Sequence, residues 1–254
     1  MKFFVVSDIH SYFAELLTAL NDAGFDENNP YHTLILCGDY FDRGSQSLEV
    51  LNYLSGLERK ILIKGNHDDM LLELLNRKVP SIVDNKNGTL GTVYQLGRDK
   101  GVKTFEKFCD KAYERFKPFY DSMVDYFETE NYIFVHSWIP LIRQDNLPKH
   151  YARNRKWAFN EDWRNASKDS WEEARWGNPY ELASRGFKPD KTIVFGHWHT
   201  SWPRAHYEGK DEFSANADFS IYYGDGYIGI DACTVHTGKV NVLVIEDNLN
   251  LKEI

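Results

Sequence analysis

The first 65 residues alternate between short apolar runs and amphipathic stretches, and each apolar run stops at a polar fragment with small neighbours. Phe3-Phe4-Val5-Val6 leads into Ser7-Asp8-Ile9-His10. Thr33-Leu34-Ile35-Leu36-Cys37 leads into Gly38-Asp39-Tyr40-Phe41-Asp42-Arg43-Gly44, and the run from Lys60 to Lys64 leads into Gly65-Asn66-His67-Asp68. Between the runs, Ser11 to about Ala23 has helical spacing, with Leu16, Leu17 and Leu20 on one face, Ser11 as cap and Gly24 as stop. Ser47 to Arg59 is a second helix with Val50, Leu51 and Leu54 inward. Strand, helix, strand, helix, strand predicts an α/β fold with a parallel sheet and helices packed on it. Ligands in such sheets collect beyond the carboxyl ends of the strands, where the polar fragments lie.

Residues 68–130 read as a mainly helical insert, interrupted by a polar Gly/Asn-rich stretch from Asp84 to Gly91. Asn131 to Val135 is a strand that runs into His136. Residues 138–190 form a polar, loop-rich, cap-like insert, and all seven tryptophans lie between Trp138 and Trp202. Most of these rings are expected to be core rather than the lining of a substrate groove, since Trp is usually well buried. Strands resume at Thr192 to Phe195, which runs into Gly196-His197-Trp198-His199, and then at Tyr227 to Asp231 and Lys239 to Ile245. Trp198 is expected to face away from the flanking histidines if the chain there is extended. No internal repeat or linker is visible, so residues 1–254 read as one domain.

A net charge of -8 argues against a nucleic-acid or membrane-surface binder. It does not exclude an anionic substrate, because bound divalent cations reverse the local field. The three cysteines, Cys37, Cys109 and Cys233, are widely spaced and odd in number. They fit buried free thiols better than a disulfide framework, with Cys37 and Cys233 in strand-like runs. The opening apolar run is too short for a signal peptide and no stretch is long enough to span a bilayer, so the expectation is a cytoplasmic protein.

Taken singly, Asp8 would be a turn or cap residue and His136 a satisfied core histidine. Five such fragments in series describe strand ends that converge on metal ions. Asp8 and His10 are two apart, which at a strand end puts both side chains on one side of the chain. Asp39 is placed to bridge two cations, and Asn66, His136 and His197 complete the second shell. Carboxylate, imidazole and one amide suit Mn²⁺, Fe or Zn²⁺ better than Ca²⁺. Two cations about 3.5–4 Å apart activate a water and clamp phosphate oxygens. His67 is then placed to act as general acid, Asp42 to hold its ring, and Arg43 to offer a planar fork for phosphate. His32 is expected to be exposed, and His150, His206 and His236 have no partner fragment.

This set resembles the calcineurin-like metallophosphoesterases, and within them the phosphoprotein-phosphatase branch. The GDxxDRG element at Gly38 to Gly44 and the GNH[DE] element at Gly65 to Asp68 carry the resemblance. Ile230-Asp231-Ala232-Cys233 to Gly238-Lys239 is similar to the family's usual ending. The resemblance implies a β-sandwich core of mixed sheets flanked by helices, with helical and loop-rich inserts. It implies Asp8, His10 and Asp39 on one metal and Asp39, Asn66, His136 and His197 on the other, with His67 and Asp42 as the acid pair and Arg43 as a clamp. Gly196 to His199 fits the wider superfamily's GHxH, which adds His199 to the first metal. The branch's second phosphate-binding arginine is expected at Arg175, with Arg185, Arg164 and Arg153 as alternatives. Phosphomonoesters, with phosphoserine or phosphothreonine proteins among them, are the implied substrates. The rivals are symmetrical hydrolysis of diadenosine tetraphosphate, hydrolysis of other small phosphoesters or cyclic nucleotides, and a non-catalytic scaffold of the same fold.

Overall fold

The computed structural model describes residues 1–144 and 156–247. The first half runs β1 (Lys2–Val6), α1 (Phe13–Asp22), β2 (His32–Cys37), α2 (Ser47–Gly56), β3 (Lys60–Ile63), α3 (Asn66–Arg77), α4 (Ile82–Asn87), α5 (Thr89–Gly97) and α6 (Phe105–Asp121). The second half runs β4 (Phe127–Glu128), β5 (Tyr132–Phe134), β6 (Ile142–Arg143), β7 (Trp157–Ala158), α7 (Lys168–Ala174), α8 (Pro179–Ser184) and β8 (Thr192–Phe195). It closes with α9 (Ser201–Glu208), β9 (Tyr222–Gly224), β10 (Tyr227–Gly229), α10 (Thr234–Thr237) and β11 (Leu243–Glu246).

Two mixed sheets face each other, ordered β11-β1-β2-β3 and β4-β5-β8-β10-β9. In the first sheet β1, β2 and β3 are parallel and β11 is an antiparallel edge; in the second, β5, β8 and β10 are parallel and both edges, β4 and β9, are antiparallel. The period of two along each strand decides the layers. Phe3, Val5, Ile35 and Cys37 point between the sheets, where they meet Phe134, Val194 and Ile228. Phe4, Val6, Leu34 and Leu36 point the other way, into a helical layer that includes Leu16, Leu54, Leu71, Val93 and Phe116. Ile133, Ile193 and Phe195 point outward from the second sheet into an aromatic layer of Trp138, Trp163, Trp171, Tyr180 and Trp202. Each large side chain buried in these layers contributes roughly 1.5–3 kcal/mol.

Several local expectations change. Ser11 does not cap α1; its φ is 62° and its hydroxyl bonds to Ser47 Oγ at 2.8 Å. Leu17 is exposed while Leu16 and Leu20 are buried, and Gly24 ends the helix region as expected, at φ 79°. The stretch from Asp84 to Gly91 is not an interruption but the junction of α4 and α5. Gly88 makes that junction at φ 86°, and a Cβ there would collide with the Arg43 backbone. Ser81 and Asp84 form the capping box of α4. His32 is half-buried against Phe4 rather than exposed. Cys37 and Cys109 are buried, whereas Cys233 is half-buried before α10 and outside any strand. No described helix is long and apolar enough to cross a membrane.

Candidate metal centre and active site

Because β1, β2 and β3 are parallel, and β5, β8 and β10 likewise, their carboxyl ends lie along one edge of the sandwich. The polar fragments follow those ends. There the backbone leaves the extended form. Asp8, His10, Ser11, Asp39, Asp42, Arg43, His197 and Cys233 all have positive φ, between 45° and 73°. Only one other described non-glycine residue, Lys78, shares that conformation. A left-handed turn costs an L-residue roughly 1–2 kcal/mol, so eight at one edge need support from their surroundings. The support is direct. The Asp8, His10 and Ser11 N–H groups donate to the carbonyls of Gly38, Asp39 and Tyr40, which ties the first two loops side by side. Asp68 accepts the Gly65 and Asp39 N–H groups at 2.8 and 3.2 Å, which ties the third. Simple alternation therefore does not place Asp8 and His10; two successive left-handed turns do.

Two donor sets result, each with ligand atoms within 4.8 Å of one another: His10, Asp39 and His67, and Asp39, His136 and His197. Asp39 belongs to both. His10 Nε2 lies 3.8 Å from Asp39 Oδ2, and His136 Nε2 lies 3.4 Å from Asp39 Oδ1. Asn66 Oδ1 and His197 Nδ1 approach His136 Nε2 at 2.8 and 3.1 Å. His10 and His136 donate Nδ1–H to the carbonyls of Phe41 and Cys37 at 2.8 and 2.7 Å. That leaves each Nε2 lone pair for the cluster, the usual arrangement behind a metal-bound histidine. Asp8 borders the same cavity, and its Oδ2 accepts from the Ser7 hydroxyl and, at 2.8 Å, from the His197 N–H. Gly196 is obligatory beside it, since a Cβ there would overlap both the Ser7 hydroxyl and the Asp8 carboxylate.

The electrostatics suit cations. Burial, followed by the Arg43 charge, pushes the His10 pKa well below the usual value. Burial lowers His136, and burial with its His136 neighbour lowers His197 to about 3. These imidazoles are therefore neutral, the form that coordinates metal. Burial, Asp231 and Asp39 raise Asp8 well above the carboxylate range, and burial raises Asp231 to about 7. Burial opposes ionisation of Asp39 too, but His136, His67, His10 and His197 outweigh it and hold that carboxyl well below its usual range. Neutral ring nitrogens converging on crowded carboxylates fit two divalent cations, which relieve both lone-pair and charge repulsion.

His67, the third member of the first set, is also half of a His–Asp pair. His67 Nδ1 is 2.7 Å from Asp42 Oδ2. Burial disfavours the imidazolium, but Asp39 and Asp42 outweigh it and raise the His67 pKa. Asp42 is itself held at both oxygens: Thr89 Oγ1 donates to Oδ2 at 2.7 Å and Thr92 Oγ1 to Oδ1 at 2.8 Å. All three residues are fully buried. Arg43 spans the cluster, with Nη1 2.9 Å from His10 Nε2 and Nη2 3.1 Å from His67 Nε2.

Other expected site residues lie apart. Arg175 is buried, but its guanidinium donates to Asp69 and Asp125 and does not line the cavity. Arg164 pairs with Glu128 and Arg185 is exposed. His199 Nδ1 bonds to Ser201 Oγ at 2.9 Å and its Nε2 is 3.4 Å from Glu212, outside both donor sets. Arg153 and His150 lie outside the described residues. The left-handed turn at His197 means the chain is not extended at Trp198, which borders the cavity and packs its ring on Trp202 of the aromatic layer. Asp231 was missed as a site residue although it ends an apolar run like the other fragments. Thr89 and Thr92, and the part Asp68 plays in tying the loops, were missed because nothing in their spacing links them to Asp42 or Asp39.

A two-sheet sandwich with two Asp/His donor sets on one edge is the framework of a candidate dinuclear metal centre. The chain belongs to the calcineurin-like phosphoesterase family, whose family model matches residues 1–215. It is 26% identical over 162 residues to an asymmetrical bis(5'-nucleosyl)-tetraphosphatase of Bacillus subtilis (strain 168), covering 60% of this chain and 63% of that one. It is 38% identical over 90 residues to a symmetrical bis(5'-nucleosyl)-tetraphosphatase of Buchnera aphidicola, covering 34% of this chain and 32% of that one. The match thus spans less than two thirds of these relatives. Among solved structures, a putative diadenosine tetraphosphatase superposes with TM-score 0.54 at 18% identity, covering 96% of this chain and 89% of that one. A serine/threonine phosphatase from Saccharomyces cerevisiae gives 0.50 at 16%, covering 91% and 67%. These structures show the shared fold.

Proposed function

We propose that this chain, acting as one domain, is a dinuclear-metal phosphoesterase that cleaves a phosphoric ester with water. The observation that carries the reading is Asp39: one carboxylate belongs to both donor sets, with the His67–Asp42 pair and the Arg43 fork against them. Asp8, His10 and Asp39 would hold one cation, and Asp39, Asn66, His136 and His197 would hold the other. Mn²⁺ is the first choice, with Fe or Zn²⁺ as alternatives. Bound there, the cations supply Lewis acidity toward water and the phosphate oxygens.

The protein residues do the rest. His67 carries a proton at Nε2 toward the leaving-group oxygen, while Asp42 fixes the ring through Nδ1 and favours the charged form. Thr89 and Thr92 stop the Asp42 carboxylate from turning. Arg43 exchanges its ring-nitrogen acceptors for phosphate oxygens, which accept its fork in two parallel bonds. In this arrangement the clamp role falls on Arg43, with Arg175 withheld by Asp69 and Asp125.

Phosphomonoesters, including phosphoserine and phosphothreonine, are one substrate class for such a site. The names of the curated relatives favour a second, dinucleoside polyphosphates. The test is turnover of p-nitrophenyl phosphate by Mn²⁺-loaded protein with and without chelator. Chelator-sensitive turnover supports the reading; bound metal without turnover makes the chain a scaffold. His67→Asn is expected to lower kcat by about 10²–10⁴-fold with metal content intact. Unchanged kcat removes His67 from the mechanism.

A further inference from the structure

The cavity over the metal centre is larger than the chemistry at its floor requires. It encloses about 360 Å³, within the range of pockets that hold a small organic ligand. The floor is Asp, His and Arg. The mouth is different: Trp176, Trp198 and Val235 stand there.

Trp176 is unusual for this chain. Trp138, Trp163, Trp171 and Trp202 are buried in the aromatic layer, whereas Trp176 is 55% exposed. Its indole is not needed to fill that core, and a large exposed ring beside a charged pocket is a mark of binding. Its backbone is nonetheless fixed. The Trp176 N–H donates to the Glu173 carbonyl at 3.2 Å, and the Trp176 backbone hydrogen-bonds to the His197 ring. The next carbonyl, of Gly177, accepts from Ser137 Oγ at 2.7 Å, and Ser137 adjoins His136. The backbone of the rim tryptophan is therefore tied to His197 directly and, through Gly177, to the residue after His136. Trp198 lines the same cavity and is braced edge-on by Trp202, with ring centroids 5.8 Å apart at 78°. An aromatic side chain whose backbone is held beside the pocket has only two side-chain torsions to fix on stacking a flat ring.

We propose that Trp176, with Trp198 beside it, is a ring-stacking subsite, and that its occupant is the nucleobase of a nucleoside polyphosphate whose phosphate lies on the metal centre. The proposal rests on the phosphoesterase reading and adds the residue that selects the substrate. The ligand must be anionic at one end and flat at the other, with a spacer between. Phosphoserine has no ring. Phosphotyrosine has one, bonded directly to the phosphate oxygen with no sugar between, and is the control that separates an aryl ring from a nucleobase. A nucleotide separates base from phosphorus by its ribose.

The experiment compares kcat/KM for diadenosine tetraphosphate, phosphotyrosine and glycerol 2-phosphate in wild type, Trp176→Ala and Trp176→Phe, all Mn²⁺-loaded. Trp176→Ala is expected to lower the ratio of diadenosine tetraphosphate to glycerol 2-phosphate about tenfold, chiefly through KM, the scale on which base–aromatic stacking acts. Trp176→Phe should recover most of the ratio. An unchanged ratio overturns the subsite, and an equal or larger loss on phosphotyrosine overturns the nucleobase as occupant. Calorimetric binding of adenosine diphosphate to the same three proteins separates the two readings. If no ester is turned over yet Trp176→Ala weakens this binding, the phosphoesterase reading fails and the subsite stands. If esters are turned over and binding is unaltered, the subsite fails alone.

Discussion

Behind the first sheet lies an aliphatic helical layer, and behind the second an aromatic one, and they serve the metal edge in different ways. The helical layer reaches the chemistry through hydrogen bonds. The start of α5 sets Thr89 and Thr92 on the Asp42 carboxylate and Gly88 against the Arg43 backbone. The aromatic layer reaches it through packing and main chain. Trp138 and Tyr180 pack on Phe195 beneath the His197 turn, and Trp176 joins the rim through its backbone. Its one buried guanidinium among the described residues near the site, Arg175, is turned to Asp69 on α3 and to Asp125. One layer holds the His67–Asp42 pair and the other borders the cavity and joins the two halves.

The largest effect should come from Arg175. Its side chain is 3% exposed, and Arg175→Met leaves Asp69 and Asp125 without their shared partner. A loss of about 3 kcal/mol in urea unfolding is expected, partly recovered by adding Asp69→Asn. If stability is unchanged and kcat/KM collapses instead, Arg175 is a phosphate clamp and the two layers do not divide the work as drawn.

A smaller effect should come from the helical side. Thr92→Val keeps the shape but removes the bond Oγ1 donates to the buried Asp42 carboxylate, worth about 1.5–3 kcal/mol, and the one it accepts from the Asp42 N–H at 2.9 Å. On an alkyl phosphate, whose leaving group needs a proton, kcat is expected to fall about tenfold or more. On p-nitrophenyl phosphate the loss should be smaller, because that leaving group needs little acid assistance, and Thr92→Ser should restore activity. Equal losses on both esters would make the threonine merely structural.

The smallest effect concerns α4, which presents α5 to the site. Burial would raise Asp84, but the Ser81 and Arg77 bonds outweigh it and lower its pKa. A depressed carboxylate stabilises the fold above the unfolded pKa and loses that contribution as pH falls through the folded value. Asp84→Ala should cost about 1 kcal/mol at neutral pH, and the difference in Tm from wild type should vanish in acid. A difference that persists there would mean the cap works without its charge.

Much of this molecule was legible before its structure. The apolar runs at Phe3, Thr33 and Thr192 are strands, and the donors Asp39, Asn66, His136 and His197 do meet. The Asp84 to Gly91 stretch was misread because Asn and Gly mark both loops and helix junctions. His199 and Arg175 fit their motifs by spacing, yet nearby partners took them: Ser201 and Glu212 in one case, Asp69 and Asp125 in the other. The left-handed turn at His197, which ends the extended chain before Trp198, was not legible, because the His197 N–H bonds to an Asp8 carboxylate 189 residues away in sequence.

By itself the sequence determined the strands, their polar ends and the chemical kinds of donor, because apolar period and residue type are local properties of the chain. Only the tertiary structure decided which donors share Asp39, which hydroxyls hold Asp42, and which tryptophan is left at the rim. Those outcomes depend on left-handed turns and long-range hydrogen bonds, and both exist only once the two sheets have packed.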